Sequence, residues 1–165
     1  MSPPATGNDT HDELKAYLIS TNQKLLDAIV DIDYETYDSL CADDMSCMEP
    51  ESNQTVVIGK DFHKYYFDVF GGSGGDEQNG STTTTTSSKR PRTNVTMVRP
   101  HVQFLGRCNE NGVPTAAVLS YVKLTQQTKP GMAPVTIQQS ETRVWEQREQ
   151  GGWVNVHFHK SPYKI

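Results

Sequence analysis

The 165-residue sequence has no apolar run long enough for a signal segment or a membrane-crossing helix. It has little cysteine. Cys41, Cys47 and Cys108 are an odd set with no CxxC spacing, which excludes a zinc ribbon, a dithiol redox motif and a disulfide framework. Basic excess is missing too: the net charge is −5, so no nucleic acid partner is expected. Catalytic signatures are absent. There is no GxxxxGK followed by Ser or Thr, no GxGxxG after a strand, no HRD or DFG, no GxSxG and no HExxH, which excludes a kinase domain. What remains is one domain's length of chain, enough to bury a core without cross-links. The expected address is cytoplasmic.

Helical periodicity comes first. A polar tail at 1–10 leads into a single domain at 11–165. Thr10-His11-Asp12-Glu13 matches a capping box, and Leu14, Leu18, Leu25, Ile29 and Ile32 recur behind it at helical spacing. The pattern predicts a long amphipathic helix over 11–31. Asp33 reads as the N-cap of a short second helix with Tyr34, Tyr37, Leu40 and Cys41 on one face. Short extended pieces are expected near 45–49 and 55–58. Phe62, Tyr65, Tyr66, Val69 and Phe70 then form an apolar stripe on a third helix.

Residues 71–92 hold a glycine cluster, an unbroken Thr82–Thr86 run and Lys89-Arg90-Pro91-Arg92. Such composition cannot build a core and reads as a disordered insertion. Its basic cluster offers a nuclear address as a lesser alternative.

The period then switches to two, predicting strands at 93–106, 115–128, 135–149 and 152–160 in an antiparallel meander. Helices followed by strands are the α+β pattern. On the second of these strands Leu119 and Tyr121 point one way and Val118, Val122 and Leu124 the other. The long helix covers one face only, so the other is expected to meet a further element, another subunit or water.

Three successive strands each place a cation on a face rich in apolar and aromatic groups. Lys123 has the parity of Leu119 and Tyr121. Arg143 has that of Val135, Ile137 and Trp145, and Lys160 that of Val154, Val156 and Phe158. Burying a bare cation is costly, so these groups want carboxylates or a wet cavity, and Glu141 is the natural partner of Arg143. Two readings stay open: salt bridges at the sheet rim, or a pocket for a carboxylate, phosphate or acidic side chain that His63 and Tyr66 could join. His157 and His159 share a strand face, but no cysteine or carboxylate pattern supplies further ligands, so neither metal nor cofactor is expected.

Several segments together resemble the association (hub) domain of calcium/calmodulin-dependent protein kinase II. They are Asp33–Tyr37, Met48–Glu51, Gly59–Phe67, Pro100–Val102, Gln139–Trp145 and Trp153–Ser161, in family order over residues 12–161. The resemblance implies a nuclear transport factor two-like cone, a curved sheet around a long helix. It implies self-association into two stacked rings and no catalysis. It also implies a cavity whose basic residues match Lys123, Arg143 and Lys160, lined as well by His63 and Tyr66, which receives acidic or small carboxylate ligands. Two of those three positions usually hold arginine, and lysine loses the bidentate fork. A tryptophan expected after the third helix is replaced near Gly71.

The implied partner is the chain itself, or the hub of a full-length kinase. Membrane and nucleic acid are not expected partners. Nor is calmodulin, for lack of a basic amphipathic helix. The chain reads either as a free-standing hub or as an excised piece. The competing reading is an isomerase or hydratase of the same cone fold, with Glu141 or His63 as general base and Arg143 fixing an anion.

Overall fold

The computed structural model describes residues 10–71, 92–128, 131–149 and 152–162. Residues 1–9 of the tail proposed at 1–10, and 72–91 of the insertion proposed at 71–92, lie outside them. Gly71 and Arg92, placed in the insertion by composition, belong to the flanking helix and strand.

Helix α1 (Thr10–Asp31) buries Leu14, Leu18, Leu25, Leu26 and Ala28. Thr10 is its first helical residue, one position inside the expected cap. The helix ends in a Schellman turn: Asp33 N–H donates to Ala28 O at 2.9 Å and Ile32 N–H to Ile29 O at 3.4 Å. Ile32 takes the left-handed conformation, φ 60°, unusual for a β-branched residue. Asp33 then caps α2 (Tyr34–Leu40), its carboxylate accepting from Thr36 N–H at 3.0 Å. Turn and cap share one residue, so α1 passes to α2 without a loop.

Strand β1 (Cys41–Met48) starts directly at the end of α2, four residues before the expected extended piece. A 3-10 turn at Pro50–Ser52 leads to β2 (Val57–Ile58) and α3 (Asp61–Gly71). β3 (Arg92–Phe104), β4 (Ala116–Thr128), β5 (Val135–Gln147) and β6 (Trp153–Lys160) form the predicted meander. The six-stranded order is β2-β1-β6-β5-β4-β3, with β1 parallel to β6. That pairing was not expected. It stitches the N-terminal third to the end of the chain.

The sheet curves because its ladder is interrupted at three places: within β1, at Val98–His101 of β3, and opposite Val144–Trp145 on β6. An extra residue bends its strand and raises the twist. The third interruption corrects the parity argument. Trp145 lies opposite Asn155 and Val144 opposite His157, which leaves Val156 unpaired on that side. Trp153, Asn155, Phe158 and Lys160 therefore face inward, whereas Val154 and Val156 do not share the face of Lys160.

The concave face holds Leu119, Tyr121 and Trp145 against α1, whose sheet contacts run along β3. On the convex face Val118, Val122 and Leu124 stay half-buried. α3 docks by His63 and Phe67, its two buried residues. Its apolar stripe does not turn inward. Phe62 and Tyr66 are half-buried, and Tyr65, Val69 and Phe70 are exposed.

Candidate functional site

Around the C-terminal end of α1 the interior is not filled. A cavity of about 390 Å³ remains. Ile29 of α1 and Ile32 just beyond it, Tyr66, Phe67 and Phe70 of α3, and Phe158 of β6 supply its apolar wall. All six sequence-predicted site residues, Lys123, Arg143, Lys160, Glu141, His63 and Tyr66, line it. The sheet register explains the strand set. Tyr121 pairs with Glu141 and Glu141 with Lys160, so one row across three strands carries the polar groups. α3 brings His63 and Tyr66 down on that row.

Glu141, 2% exposed, is shared by two cations. Lys123 Nζ contacts Oε1, and Arg143 Nη2 lies 3.3 Å from Oε2. Tyr121 donates its hydroxyl to Oε2 at 2.5 Å and accepts from Arg143 Nε at 3.0 Å. Arg143 Nη1 donates to Asn155 Oδ1 at 2.6 Å, and the guanidinium stacks on the Phe158 ring at 4.4 Å. Asn155 is fixed in turn by donating to the Val144 and His157 carbonyls.

Burial alone would raise the Glu141 pKa. The charges of Arg143 and Lys123 and the hydrogen bonds from Lys123 and Tyr121 outweigh it and hold the carboxyl down at about 2. Lys123 goes the other way for a paired lysine. Its pKa is lowered by burial and by the like charges of Lys160 and Arg143, which together exceed the pull of Glu141. The carboxylate stays ionised, and Lys123 is the cation most easily neutralised.

The linkage follows. A carboxyl near 4.5 unfolded and about 2 folded stabilises the fold above pH 4.5, and that contribution is lost as pH falls toward 2. Its size is on the order of 3 kcal/mol. An acid titration followed by tryptophan fluorescence is expected to show stability falling across that window in the wild type. In Glu141→Gln this component of the fall should be missing.

The second half of the site was not predicted. Glu49, 4% exposed at the entry to the 3-10 turn, reaches the cavity from β1. It places Oε2 2.8 Å from Lys160 Nζ and Oε1 2.8 Å from His63 Nε2. Glu51 adds a contact to Lys160 at 2.9 Å. Burial would raise the Glu49 pKa, but His63 and Lys160 hold it at about 2. Lys160 is raised by Glu49 and Glu51 against the opposing effect of burial. Cys47 Sγ lies 3.7 Å from the same His63 nitrogen. Sequence parity could not find this group, because β1 reaches the cavity only through its parallel pairing with β6. The acidic pair around Pro50 was the available signal.

Three cations therefore face three carboxylates, Glu49, Glu51 and Glu141. Each cation has a partner, and an incoming anion has to exchange with one. Glu51 is the most open of the three, its side chain 42% exposed. Glu141 is ill suited as a general base: it is buried, bound to two cations, and too weak a base at about 2.

The profile of the calcium/calmodulin dependent protein kinase II association domain matches residues 14–164. The chain belongs to this association-domain family. It is 34% identical over 154 residues to the calcium/calmodulin-dependent protein kinase type II of Caenorhabditis briggsae, covering 93% of this chain and 24% of that protein. Against the Caenorhabditis elegans kinase the figures are 36% over 147 residues, 89% and 17%. The chain thus spans a quarter or less of these relatives, and its match is to the association domain.

Solved structures agree. The hub homology domain of Chlamydomonas reinhardtii superposes with TM-score 0.71 at 40% identity, covering 91% of this chain and 98% of that one. The C. elegans association domain gives 0.72 at 35%, covering 94% and 100%. A nuclear transport factor two-like protein from Cytophaga hutchinsonii, 15% identical with TM-score 0.61, shares the fold: it covers 89% of this chain and 96% of that one. The cone expected from the association-domain resemblance is the fold observed. No helix among the described residues is long and apolar enough to cross a membrane.

Proposed function

We propose that this chain is a self-assembly module whose copies pair and close into two stacked rings. The observation that carries this is the apolar surface the fold leaves uncovered. Val56 and Ile58, at the β2 edge, are 54% and 74% exposed, and Tyr65 and Val69 of α3 are 64% and 49% exposed. An apolar stripe that a helix turns away from its own core is an association surface. The half-buried valines on the convex face of β4 add a second one. Two different surfaces per subunit are what a closed assembly needs: one pairs subunits and one propagates the ring. The hub of a full-length kinase would fit the same surfaces.

Native mass spectrometry of the chain at micromolar concentration tests this. The expected result is a particle of roughly a dozen or more subunits with few intermediates. A stable monomer or dimer would sink the ring reading.

The cavity supports a second, dependent role as a receiver of a small carboxylate or an acidic side chain. Entry is by exchange: the ligand carboxylate replaces exposed Glu51 on Lys160 and draws on Lys123, the least firmly charged cation. Glu141, the carboxylate candidate for a base, is held as an anion by Lys123 and Arg143, which favours binding over isomerase or hydratase chemistry that uses it.

A further inference from the structure

Cys47 and Glu49, two residues apart at the end of β1, meet His63 of α3: one ligand-type atom of each lies within 4.8 Å of the other two, and all three residues are buried. We infer that they form a binding site for a single zinc-class divalent ion, with its fourth position opening into the cavity. The inference stands apart from ring assembly, since every ligand belongs to one chain.

Three observations carry it. The first is convergence. His63 Nε2 lies 2.8 Å from Glu49 Oε1 and 3.7 Å from Cys47 Sγ. One N–H satisfies one of these atoms at a time, whereas an ion at their centre satisfies all three. The second is spacing. Tetrahedral zinc bound by sulfur, nitrogen and oxygen separates its ligand atoms by about 3.4–3.6 Å. The thiol–imidazole distance is already close to that value, and the imidazole–carboxylate pair needs to open by about 0.6 Å. The third is charge. A thiolate and a carboxylate neutralise a divalent ion, so the buried group as a whole carries no net charge.

The surroundings fit. Lys160 holds Oε2 of Glu49 at 2.8 Å, which leaves Oε1 as the ligating atom. Such outer contacts orient a metal ligand. Glu49 and His63 line the cavity, so a water or a ligand carboxylate reaches the fourth position from there. The ion takes the place of the Nε2 proton, which moves to Nδ1 so that the imidazole ligates as a neutral group, and the Cys47 thiol gives up its own. The thiol proton leaves to solvent through the cavity, and uptake therefore releases a proton.

Cobalt(II), titrated into the tag-free full chain, is the probe. The expected result is one ion per chain, tetrahedral ligand-field intensity and a sulfur-to-cobalt charge-transfer band. Cys47→Ala should abolish that band. Glu49→Gln, which preserves volume, should weaken binding by about tenfold or more. Cys108→Ser, at the exposed cysteine, should leave both readouts unchanged. Unaltered circular dichroism in each variant shows that it remains folded. No cobalt uptake, a band that survives Cys47→Ala, or a band lost in Cys108→Ser would overturn the site.

Discussion

Glu141→Gln is expected to lower the unfolding free energy by roughly 3–5 kcal/mol, the cost of removing one partner from a buried ion pair. The substitution keeps the shape of the side chain and removes its charge. Arg143, 2% exposed, then keeps Tyr121 and Asn155 as neutral partners but has no anion, and Lys123 loses its carboxylate. Lys123→Met is expected to cost less. Its charge is the one burial already disfavours, and Glu141 retains Arg143 and Tyr121. Urea denaturation at one fixed subunit concentration checks the order, because assembly makes stability concentration-dependent. Equal losses for the two variants would show that Glu141 is not the shared anchor.

Tyr65→Glu combined with Val69→Glu is expected to dissociate the assembly while leaving the subunit folded. The two positions are one helical turn apart on the exposed side of α3 and outside the core. Exposed substitutions of this kind change fold stability by about 0.5 kcal/mol or less. At an interface, loss of an apolar anchor costs about 2 kcal/mol, and two such losses weaken each contact by on the order of a thousandfold. Native mass spectrometry should show small species in place of the large particle, with unchanged circular dichroism. A particle of undiminished mass would remove α3 from the interface.

The same stripe shows where sequence reading succeeds and where it fails. Phe62, Tyr65, Tyr66, Val69 and Phe70 have helical spacing, and the helix is there. Periodicity says that a face is apolar but not what covers it. Within the subunit α3 buries His63 and Phe67 instead. Phe67 packs at 4.9 Å from the ring of Tyr37 and His63 at 5.5 Å from that of Phe158. A histidine ranks below the aromatic stripe in any hydrophobic pattern. It is buried because Glu49 waits beneath it.

Parity on β4 and β5 placed Lys123, Glu141 and Arg143 on one face because that ladder runs without interruption from Ala116 to Gln127. On β6 the same argument grouped Lys160 with Val154 and Val156, and one unpaired residue broke the alternation. A single insertion reverses every side chain beyond it, and composition gives no sign of it.

By itself the sequence determined the long helix, the Asp33 cap, the meander and the row of strand residues that charges the cavity. Each depends on spacing within a few tens of residues, where backbone geometry alone decides which side chains share a face. Tertiary structure decided the rest. Cys47 and Glu49 reach His63, Lys160 and the cavity only because β1 pairs in parallel with β6, across more than a hundred residues of chain. Such a pairing is set by which surfaces bury best against each other, a property of the folded whole that no local period records.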